Sequence, residues 1–397
     1  MRILYVRNLY WPADFGGNRY PWEVTRRLAR RGHDVHVLTG ATPIARGRDG
    51  VDGVRISYFP VVRGNPLVTH ATNAIASFGP LGRAVRERAD VAMVASYDVA
   101  LAYFARAVRP PSAFMYHSSF YSEAVERLRE RGPVGRIMYG AIRAYMDAVE
   151  RRVLGAAQRI VAVSDFSLTE ITVKMPRAAA RTRLIHTGVD TAFYAPATGA
   201  AASRARLDIA PGDRVAVIVG RLVGVKRYER AIDAIAELRD RGIPTTLLVV
   251  GSGPERRRLE SRAAQRGVRD RVRFLGFLTG ERHRDALWAS DVQLCSSEFE
   301  NLSLALLEGL ATGLPVVSVP TGGTIELLRA IDGRLLAESA DATSLAEAAA
   351  RVLSAPDLRA ELGARARAHV VERHDWERVV DRLEGLLGEL SGEGRTA

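Results

Sequence analysis

The chain has 397 residues with a hydrophobic content of 47%, a length that exceeds one ordinary core and fits two domains. No run reaches the ~20 apolar residues of a membrane-spanning helix, and the N-terminal run MRILYVRNLYW is not typical of a signal peptide, because it contains arginine and has no cleavage site. Cys295 is the only cysteine, which excludes an internal disulfide and a zinc site built on cysteines. We therefore expect a cytoplasmic enzyme.

The net charge is confined to the first half. Residues 1–190 contain 28 Lys and Arg against 16 Asp and Glu, or +12, whereas residues 191–397 contain 29 of each, or zero. One interpretation is a coding bias, since the chain has 55 Arg and two Lys. The other is an anionic partner, either a phosphorylated or lipid-linked acceptor or the inner membrane face, bound peripherally. The sequence has no signature of nucleic-acid binding.

Short apolar strands alternate with helical stretches along the chain. The predicted strands are 2–10, 35–39, 91–96, 113–117, 159–163, 214–220, 245–251, 272–275, 292–296 and 316–319. This alternation indicates α/β architecture with parallel sheets covered on both faces. Helix 136–154 is interpreted as facing the core, with a membrane-lying face as the alternative.

The segment Tyr194–Ala202, YAPATGAAA, has the small, Pro- and Gly-containing composition of a linker. It predicts two doubly wound domains, at 1–195 and 196–375, followed by a helix at 376–390 and a disordered tail at 391–397. Open parallel sheets bind ligands at the carboxyl ends of their strands. The loops that follow strands are therefore the candidate sites.

Two of these loops are rich in glycine. In WPADFGGNRY, Gly16 and Gly17 precede helix 19–31, where close backbone approach and the helix dipole favour an anion. A tight turn without a ligand would have the same sequence. In VVGSGPERRR the third glycine of a dinucleotide fingerprint is replaced by Arg256, so the loop does not predict nicotinamide binding.

A third loop, VGRLVGVKRYERAIDAI, carries two cations after strand 214–220. Arg221 lies just beyond the strand and beside Gly220, and Lys226 lies at a helix start. Lysine provides a compact charge and arginine a planar fork. The pair predicts a diphosphate site, with an ordinary solvated pair as the alternative.

The segment SSEFENLSLALLEGLATGLPVVSVPTGG places two carboxylates in an apolar context. Glu300 lies in the loop after strand 292–296, and Glu308 lies about one turn inside a helix predicted at 303–312. The first N–H groups of that helix, near Leu302–Leu304, have no acceptor within the helix and suit phosphate. Carboxylates suit diols because each has two acceptor oxygens. Glu308 is therefore a candidate for a ribose and Glu300 for a sugar.

This pattern, continued by Gly-Leu-Pro and by Gly322-Gly323, resembles the signature of family 4 glycosyltransferases. The stretches GGNRYPWEVTRRLARRGHDVHVLT, IVAVSDFS and HTGVDTAFYAP extend the resemblance over nearly the whole chain. The resemblance implies the GT-B fold, with two Rossmann-like domains facing across a cleft and helix 376–390 packing back on the first domain. It also implies sugar transfer from a nucleotide diphosphate donor with retention, through an acceptor-side first domain and a donor-binding second domain.

The resemblance also implies roles for individual residues. Arg221 and Lys226 would bind the donor diphosphate and stabilise the leaving group, and His117 would lie near the donor sugar. The catalytic residues implied are Arg221, Lys226, His117 and Glu300. The donor-binding residues implied are Gly16, Gly17, Gly220, Phe277, Leu278, Asn301, Leu302, Ser303 and Glu308, with the base near Phe277 and Leu278. Members of the family commonly need no metal, so we expect neither metal nor cofactor beside the nucleotide-sugar.

The function expected is transfer of a hexose-type sugar, from a UDP-sugar in the first instance, to an acceptor hydroxyl in glycoconjugate, polysaccharide or glycolipid biosynthesis. The alternative acceptor is a small molecule of a natural-product pathway. Two other classes are a nicotinamide-dependent oxidoreductase, disfavoured by the failed glycine pattern, and a binding protein with a decayed site. Departures from the family pattern at 186–187, at Arg227 and at 301–303 leave the donor open.

Overall fold

The chain folds into two compact units. In a computed structural model, the residues described are 1–10, 16–41, 50–61, 66–118 and 132–393. The first unit comprises Met1–His186 together with the chain from Glu377 onward, and the second comprises Thr187–Trp376. The division falls before the predicted linker, because that segment packs into the second unit: Tyr194 is fully buried in its core.

The first unit is built on a sheet that is parallel except at one edge. Its described strands are β1 (Arg2–Arg7), β2 (Asp34–Gly40), β3 (Gly50–Val51), β4 (Val54–Phe59), β5 (Val91–Val94), β6 (Ser112–Tyr116), β7 (Arg159–Ala162) and β8 (Thr182–Leu184). Their order is β3-β4-β2-β1-β5-β6-β7-β8, and only β3 and β4 pair antiparallel. The sequence did not predict β3, β4 or β8, which are short or carry polar residues.

Helices cover this sheet. They are α1 (Gly16–Arg30), α2 (Pro66–Arg86), α3 (Tyr97–Phe104), α4 (Gly132–Ala156), α5 (Asp165–Lys174) and α6 (Pro176–Ala179). The second half of α4 has a buried face that includes Val149 and Val153, as expected of a core-facing helix, whereas Ile137 near its start is 74% exposed. The prediction of a core-facing helix is therefore wrong for its first two turns.

The second unit has a five-stranded, fully parallel sheet within the described residues. Its strands are β9 (Arg214–Val219), β10 (Thr245–Val250), β11 (Val272–Gly276), β12 (Val292–Cys295) and β13 (Val316–Ser318), in the order β11-β10-β9-β12-β13. The chain first builds outward from β9 through β10 and β11 and then returns to β12 on the other side. The order therefore reverses between β9 and β12, the place where open parallel sheets bind ligands.

The helices of the second unit flank that sheet. They are α7 (Ala200–Arg206), α8 (Tyr228–Asp240), α9 (Arg256–Gln265), α10 (Gly280–Trp288), α11 (Leu304–Ala311), α12 (Gly322–Ile331), α13 (Ala342–Ser354) and α14 (Pro356–Arg373), with 3-10 turns at Gly224–Lys226, Arg269–Arg271 and Gly333–Leu335. The helix expected at 303–312 is α11.

The last helix, α15 (Trp376–Glu393), returns the chain to the first unit. Its apolar stripe, spaced as on one face of a helix, includes Val380, Leu383 and Leu387, all buried. Arg31 adds ion pairs to three of its carboxylates, at 2.7, 2.7 and 2.8 Å. The helix continues to Glu393, so it includes the first part of the segment expected to be a tail, and 394–397 lie outside the described residues. No helix in the described part of the chain is long and apolar enough to cross a membrane.

Candidate functional site

The first element of the site is the loop after β9. Gly220 follows the strand directly, and its N–H donates to the carbonyl of Val250 at 3.0 Å. Gly251 and Gly253, in the next loop, lie against the carbonyl oxygens of Gly220 and Leu222, where a Cβ atom on either glycine would overlap them. The two glycines of VVGSGPERRR thus let the loop after β10 support the loop after β9, a packing role rather than a dinucleotide site.

Two cations lie in the loop after β9, in different states. Arg221 is exposed, and its guanidinium makes no hydrogen bond or ion pair with the residues described. Lys226 ends the 3-10 turn, and its Nζ binds the Oε1 atom of Glu300. The hydroxyl of Ser297 donates to the same oxygen at 3.0 Å. The Glu300 carboxylate is therefore held by two donors, while the Arg221 guanidinium remains available for a ligand.

The loop after β12 is fixed from both sides. The Glu298 N–H donates to the Val225 carbonyl at 2.8 Å, which ties this loop to the loop after β9. On the other side, Gly322 and Gly323 begin α12, and the Gly323 N–H donates to the Glu300 carbonyl at 2.9 Å. A Cβ atom on either glycine would overlap the backbone oxygens of residues 300 and 301. This close approach explains the glycine pair without assigning it a ligand.

Helix α11 begins where the loop after β12 ends. Asn301, Leu302 and Ser303 are partly exposed, and the Ser303 side chain makes no capping hydrogen bond in the described structure. The Ser303 side chain therefore leaves the first N–H groups of the helix uncapped, and such groups at a helix start suit phosphate.

Glu308 lies in the second turn of α11 and is buried, with 6% of its surface exposed. Its Oε2 atom lies 3.6 Å from Nδ1 of His283, a buried residue of α10. The same imidazole nitrogen lies 3.2 Å from the hydroxyl of Tyr194. His283 thus orients the Glu308 carboxylate. A carboxylate that binds two adjacent hydroxyls needs such a fixed orientation.

Two apolar residues follow β11, at the same edge of the sheet. Phe277 is 49% exposed, although it is an aromatic residue beside a core, and Leu278 packs against that core. An exposed ring at the end of a strand provides a flat apolar surface for a nucleobase.

The remaining predicted residues belong to the first unit. Gly16 begins α1, and residues 11–15 of the same loop lie outside the described residues. A Cβ atom on Gly17 would lie 3.7 Å from Nη2 of Arg7. His117 follows β6 and packs edge-on against the ring of Tyr20, with 4.7 Å between ring centroids. Burial, with the charge of Arg7 as a smaller contribution, lowers the pKa of His117 to about 3, so its imidazole is neutral at physiological pH.

Comparison with known proteins agrees with this geometry. A family model described as Glycosyltransferase Family 4 matches residues 16–193, and one described as Glycosyl transferases group 1 matches residues 200–369. The D-inositol 3-phosphate glycosyltransferase of Acidothermus cellulolyticus is 32% identical over 415 residues, which cover 97% of this chain and 88% of the relative. The chain belongs to glycosyltransferase family 4.

Solved structures show the fold of this family 4 glycosyltransferase. Sucrose-phosphate synthase from Thermosynechococcus elongatus has a TM-score of 0.82 at 22% identity, with 99% of each chain covered. HepE from Anabaena, in complex with UDP-glucose, has a TM-score of 0.76 at 19% identity, with 98% of this chain and 100% of that chain covered. The GT-B fold expected from the resemblance is confirmed, and the enzyme transfers a sugar from a nucleotide-sugar donor. The oxidoreductase alternative is excluded.

The glycosyltransferase places most of the predicted site residues at one edge of its second sheet. These are Gly220, Arg221, Lys226, Phe277, Leu278, Glu300, Asn301, Leu302, Ser303 and Glu308, which lie in the loops after β9, β11 and β12 or, for Glu308, in the second turn of α11. Gly16, Gly17 and His117 lie in the first unit.

Three polar residues of the second unit were missed by the sequence interpretation. Ser297 donates to Glu300, and His283 contacts Glu308. Tyr228, at the start of α8, is buried, and its hydroxyl has no hydrogen-bond partner within the described chain. Ser297 belongs to the Ser pair that precedes Glu300, which was a usable signal. The other two lie far from the glutamates in sequence or have an ordinary helical context, so only the folded chain identifies them.

Proposed function

We propose that this enzyme is a retaining hexosyltransferase that moves a hexose-type sugar from a UDP-sugar to an acceptor hydroxyl in glycoconjugate, polysaccharide or glycolipid biosynthesis. The observation that carries the proposal is the state of the cations after β9. The Arg221 guanidinium has no partner in the described structure, and Lys226 shares one oxygen of Glu300 with Ser297. An anionic donor could therefore bind the Arg221 guanidinium directly. It could also bind Lys226, whose present partner, the Glu300 carboxylate, would then be available to the donor sugar.

The donor diphosphate would bind Arg221, Lys226 and the N–H groups at the start of α11. Cations and helix-start donors act most strongly where negative charge develops, which here is the departing diphosphate. Lys226 would exchange part of its bond with Glu300 for phosphate oxygens. Glu300 would then accept hydrogen bonds from hydroxyls of the donor sugar.

The reaction proposed is substitution at the anomeric carbon on the face that the diphosphate leaves. The bond from the anomeric carbon to the phosphate oxygen breaks, and the acceptor oxygen forms the new bond. The acceptor's proton passes to a phosphate oxygen of the leaving UDP. Glu300 is not assigned as a nucleophile, because substitution on the face of the leaving diphosphate needs no pair of carboxylates. His117, neutral at physiological pH, would donate or accept a hydrogen bond at the sugar.

The nucleoside would bind between Glu308 and Phe277. Glu308, oriented by His283, would accept hydrogen bonds from the ribose hydroxyls, and the exposed ring of Phe277 would stack on the base, beside Leu278. The choice of UDP is supported by the nucleotide bound in HepE. A phosphorylated acceptor is supported by the name of the D-inositol 3-phosphate glycosyltransferase and by the net charge of +12 in residues 1–190, which would attract an anionic acceptor.

Thermal shift measurements with UDP, GDP, ADP and dTDP test the donor site. UDP should raise the Tm, and Glu308→Gln, which keeps the size of the side chain, should remove most of that rise. Glu281→Gln is the control, because Glu281 lies on α10 and is 82% exposed. No response to any nucleotide, or equal responses in the two variants, would contradict the proposed site.

Product analysis tests retention and the acceptor class. NMR of the product made from an α-linked UDP-sugar should show the α-anomer, and a β-anomer would refute the proposed stereochemistry. Phosphorylated, lipid-linked and neutral small-molecule acceptors are offered in parallel, so that a natural-product acceptor is detected if it is the better substrate.

Peripheral membrane contact through the first unit is the second part of the proposal. Val134, Ile137 and Met138 lie on one face of α4 and are 70%, 74% and 46% exposed, and Arg136 beside them is exposed too. Apolar side chains next to arginine suit a membrane that contains anionic lipids. Sedimentation with anionic vesicles at low and high salt tests this contact. Binding that Ile137→Ser does not weaken would exclude this face.

A further inference from the structure

The second unit contains a buried tyrosine hydroxyl without a partner. Tyr228 is 2% exposed, and its hydroxyl makes no hydrogen bond within the described chain. Residues 187–376 are all described, so no undescribed part of this unit supplies a partner. The other tyrosine of the unit, Tyr194, has one, because its hydroxyl lies 3.2 Å from Nδ1 of His283. Phenylalanine would be the more stable residue at position 228 unless the hydroxyl finds an acceptor in another state of the protein.

The hydroxyl of Tyr228 lies beside the loop after β9. A Cβ atom on Gly220 would be 3.2 Å from the hydroxyl oxygen and 3.9 Å from Cε of Lys226, so the two side chains approach the same point. Arg227, the residue between them, has a left-handed backbone with φ at 47°. This conformation is unfavourable for a residue with a Cβ atom. The chain therefore adopts an unfavourable turn at the place where Lys226 and Tyr228 converge.

Glu300 is the acceptor that this hydroxyl lacks. Its Oε1 atom binds Lys226 and Ser297, whereas its Oε2 atom has no hydrogen-bond partner among the described residues. The backbone of Glu300 is fixed, because its carbonyl accepts a hydrogen bond from the N–H of Gly323 at 2.9 Å. A change of partner therefore requires only rotation of the Glu300 side chain.

The charge of Glu300 already acts on the buried side of this loop. Burial is the main cause that raises the pKa of Tyr228, and the charge of Glu300 is the next. The same two causes, in the same order, raise the pKa of the buried Cys295 thiol. Tyr228 is thus close enough to Glu300 for an appreciable electrostatic interaction. Because its pKa is raised, the hydroxyl keeps its proton and can donate it in a hydrogen bond.

We propose that Tyr228 is a positioning residue whose hydroxyl binds Glu300 when Lys226 turns to the donor diphosphate. Without donor, Lys226 neutralises Glu300 and the hydroxyl has no acceptor. With donor, the hydrogen bond from Tyr228 replaces the ammonium and fixes the carboxylate for the donor sugar. Tyr228 is too buried to touch the donor and acts through Glu300. This inference rests on the proposed function, because it describes Glu300 after the donor has bound.

The first test needs no donor. Lys226→Met removes the ammonium and so releases Glu300 in the free protein. Tyr228→Phe is introduced into wild type, into Lys226→Met and into the double variant Lys226→Met, Glu300→Ala. Tyr103→Phe is the control in each background, because Tyr103 is also buried and its hydroxyl donates to the Pro110 carbonyl at 2.6 Å. Since the two units can unfold separately, unfolding on heating is followed by pulsed hydrogen exchange of peptides from β9 and β6.

The effect of Tyr228→Phe should reverse its sign between backgrounds. In wild type the Tm of the second unit should stay the same or rise, because a buried hydroxyl without a partner is removed. In Lys226→Met it should fall by at least about 3 °C, because a hydrogen bond to a charged acceptor is lost. In Lys226→Met, Glu300→Ala the effect should return to that in wild type. Tyr103→Phe should change the Tm of the first unit equally in all three.

The second test uses UDP. The nucleotide is titrated into wild type, Tyr228→Phe and Tyr103→Phe, and the apparent Kd is obtained from the rise in Tm. Tyr228→Phe should bind UDP about tenfold more weakly, because Glu300 then has no donor to replace Lys226. Tyr103→Phe should bind UDP as wild type does. A tyrosine that serves packing alone would leave the affinity for UDP unchanged.

Three results would overturn the inference. Tyr228→Phe could lower the Tm of wild type, which would mean that the hydroxyl already has a partner. It could have the same effect with and without Lys226, or it could bind UDP as tightly as wild type. Absence of any UDP response in wild type would instead refute the donor proposal alone. The comparison in Lys226→Met decides between a Tyr228–Glu300 hydrogen bond and none without a nucleotide, so the two failures are distinguishable.

Discussion

Acid should destabilise this enzyme in part through one histidine, His117. Its pKa is about 3 in the folded state, against 6.5 for an unperturbed imidazole. A group whose pKa is lowered by folding binds its proton first in the unfolded state, so stability falls as the pH falls below 6.5 and stops falling near pH 3. Each pH unit in that window costs about 1.4 kcal/mol. From pH 7 to pH 5 the free energy of unfolding should therefore decrease by about 2 kcal/mol from His117 alone.

The perturbation is His117→Gln, which keeps a polar side chain and removes the titration. Other histidines with lowered pKa values, such as His36 and His70, contribute equally to both proteins and cancel in the comparison. Urea unfolding is measured at pH 7 and pH 5, and because the two units can unfold separately, the transition is followed by hydrogen exchange of peptides from β6. The loss of stability between the two pH values should be smaller in the variant by about 2 kcal/mol.

Equal losses in wild type and His117→Gln would refute the reasoning. So would an imidazole NMR resonance, assigned by its absence in the variant, that titrates near pH 6.5. Either result would mean that water or an anion reaches the imidazole and that burial does not control its pKa. A resonance that stays constant from pH 8 to pH 5 would support a neutral His117 throughout the range in which the enzyme is assayed.

Three further predictions concern the loops and the last helix. Gly322→Ala should displace the loop that carries Glu300 and lower kcat/KM by tenfold or more, whereas Gly333→Ala, where a Cβ atom meets nothing within 4 Å, should be neutral in the same assay. Lys226→Met should lower kcat by about 10²–10³-fold, since removing one donor to a developing charge costs about 3–4 kcal/mol. Treatment of the wild-type enzyme with EDTA should leave its activity unchanged if side chains alone stabilise the diphosphate. Arg31→Met should lower the free energy of unfolding by about 1–2 kcal/mol, and by less at high salt, because the carboxylate partners of Arg31 are partly exposed. Chemical denaturation at 0.05 and 0.5 M NaCl measures both effects. An unchanged midpoint at low salt would contradict this prediction.

Much of the fold could be predicted because buried parallel strands have a strong local signal. The strands β1, β5 and β9 contain the continuously apolar runs ILYV, VAMV and VAVIV. The strand β8 was missed because its three residues, Thr182–Leu184, have no such run. The linker prediction relied on the small residues after Tyr194 and could not anticipate that Tyr194 itself is buried in the second unit.

The candidate site could also be predicted only in part from the sequence. The glutamates at 300 and 308 and the cations at 221 and 226 were recognisable because charged residues interrupt apolar or glycine-rich stretches. Their partners were not: His283 precedes Glu308 by 25 positions and contacts it only because α10 and α11 pack near one another.

The sequence by itself determined the class of sheet, the carboxyl-edge loops and the candidate residues of the donor site, because each of these depends on neighbours within about ten positions. Only the tertiary structure decided which charges are paired. It occupied Lys226 with Glu300, left the Arg221 guanidinium without a counter-ion in the described chain, and enclosed His117 so that it stays neutral. The reason is that pairing and desolvation depend on distances between residues far apart in the chain, and no local pattern encodes those distances.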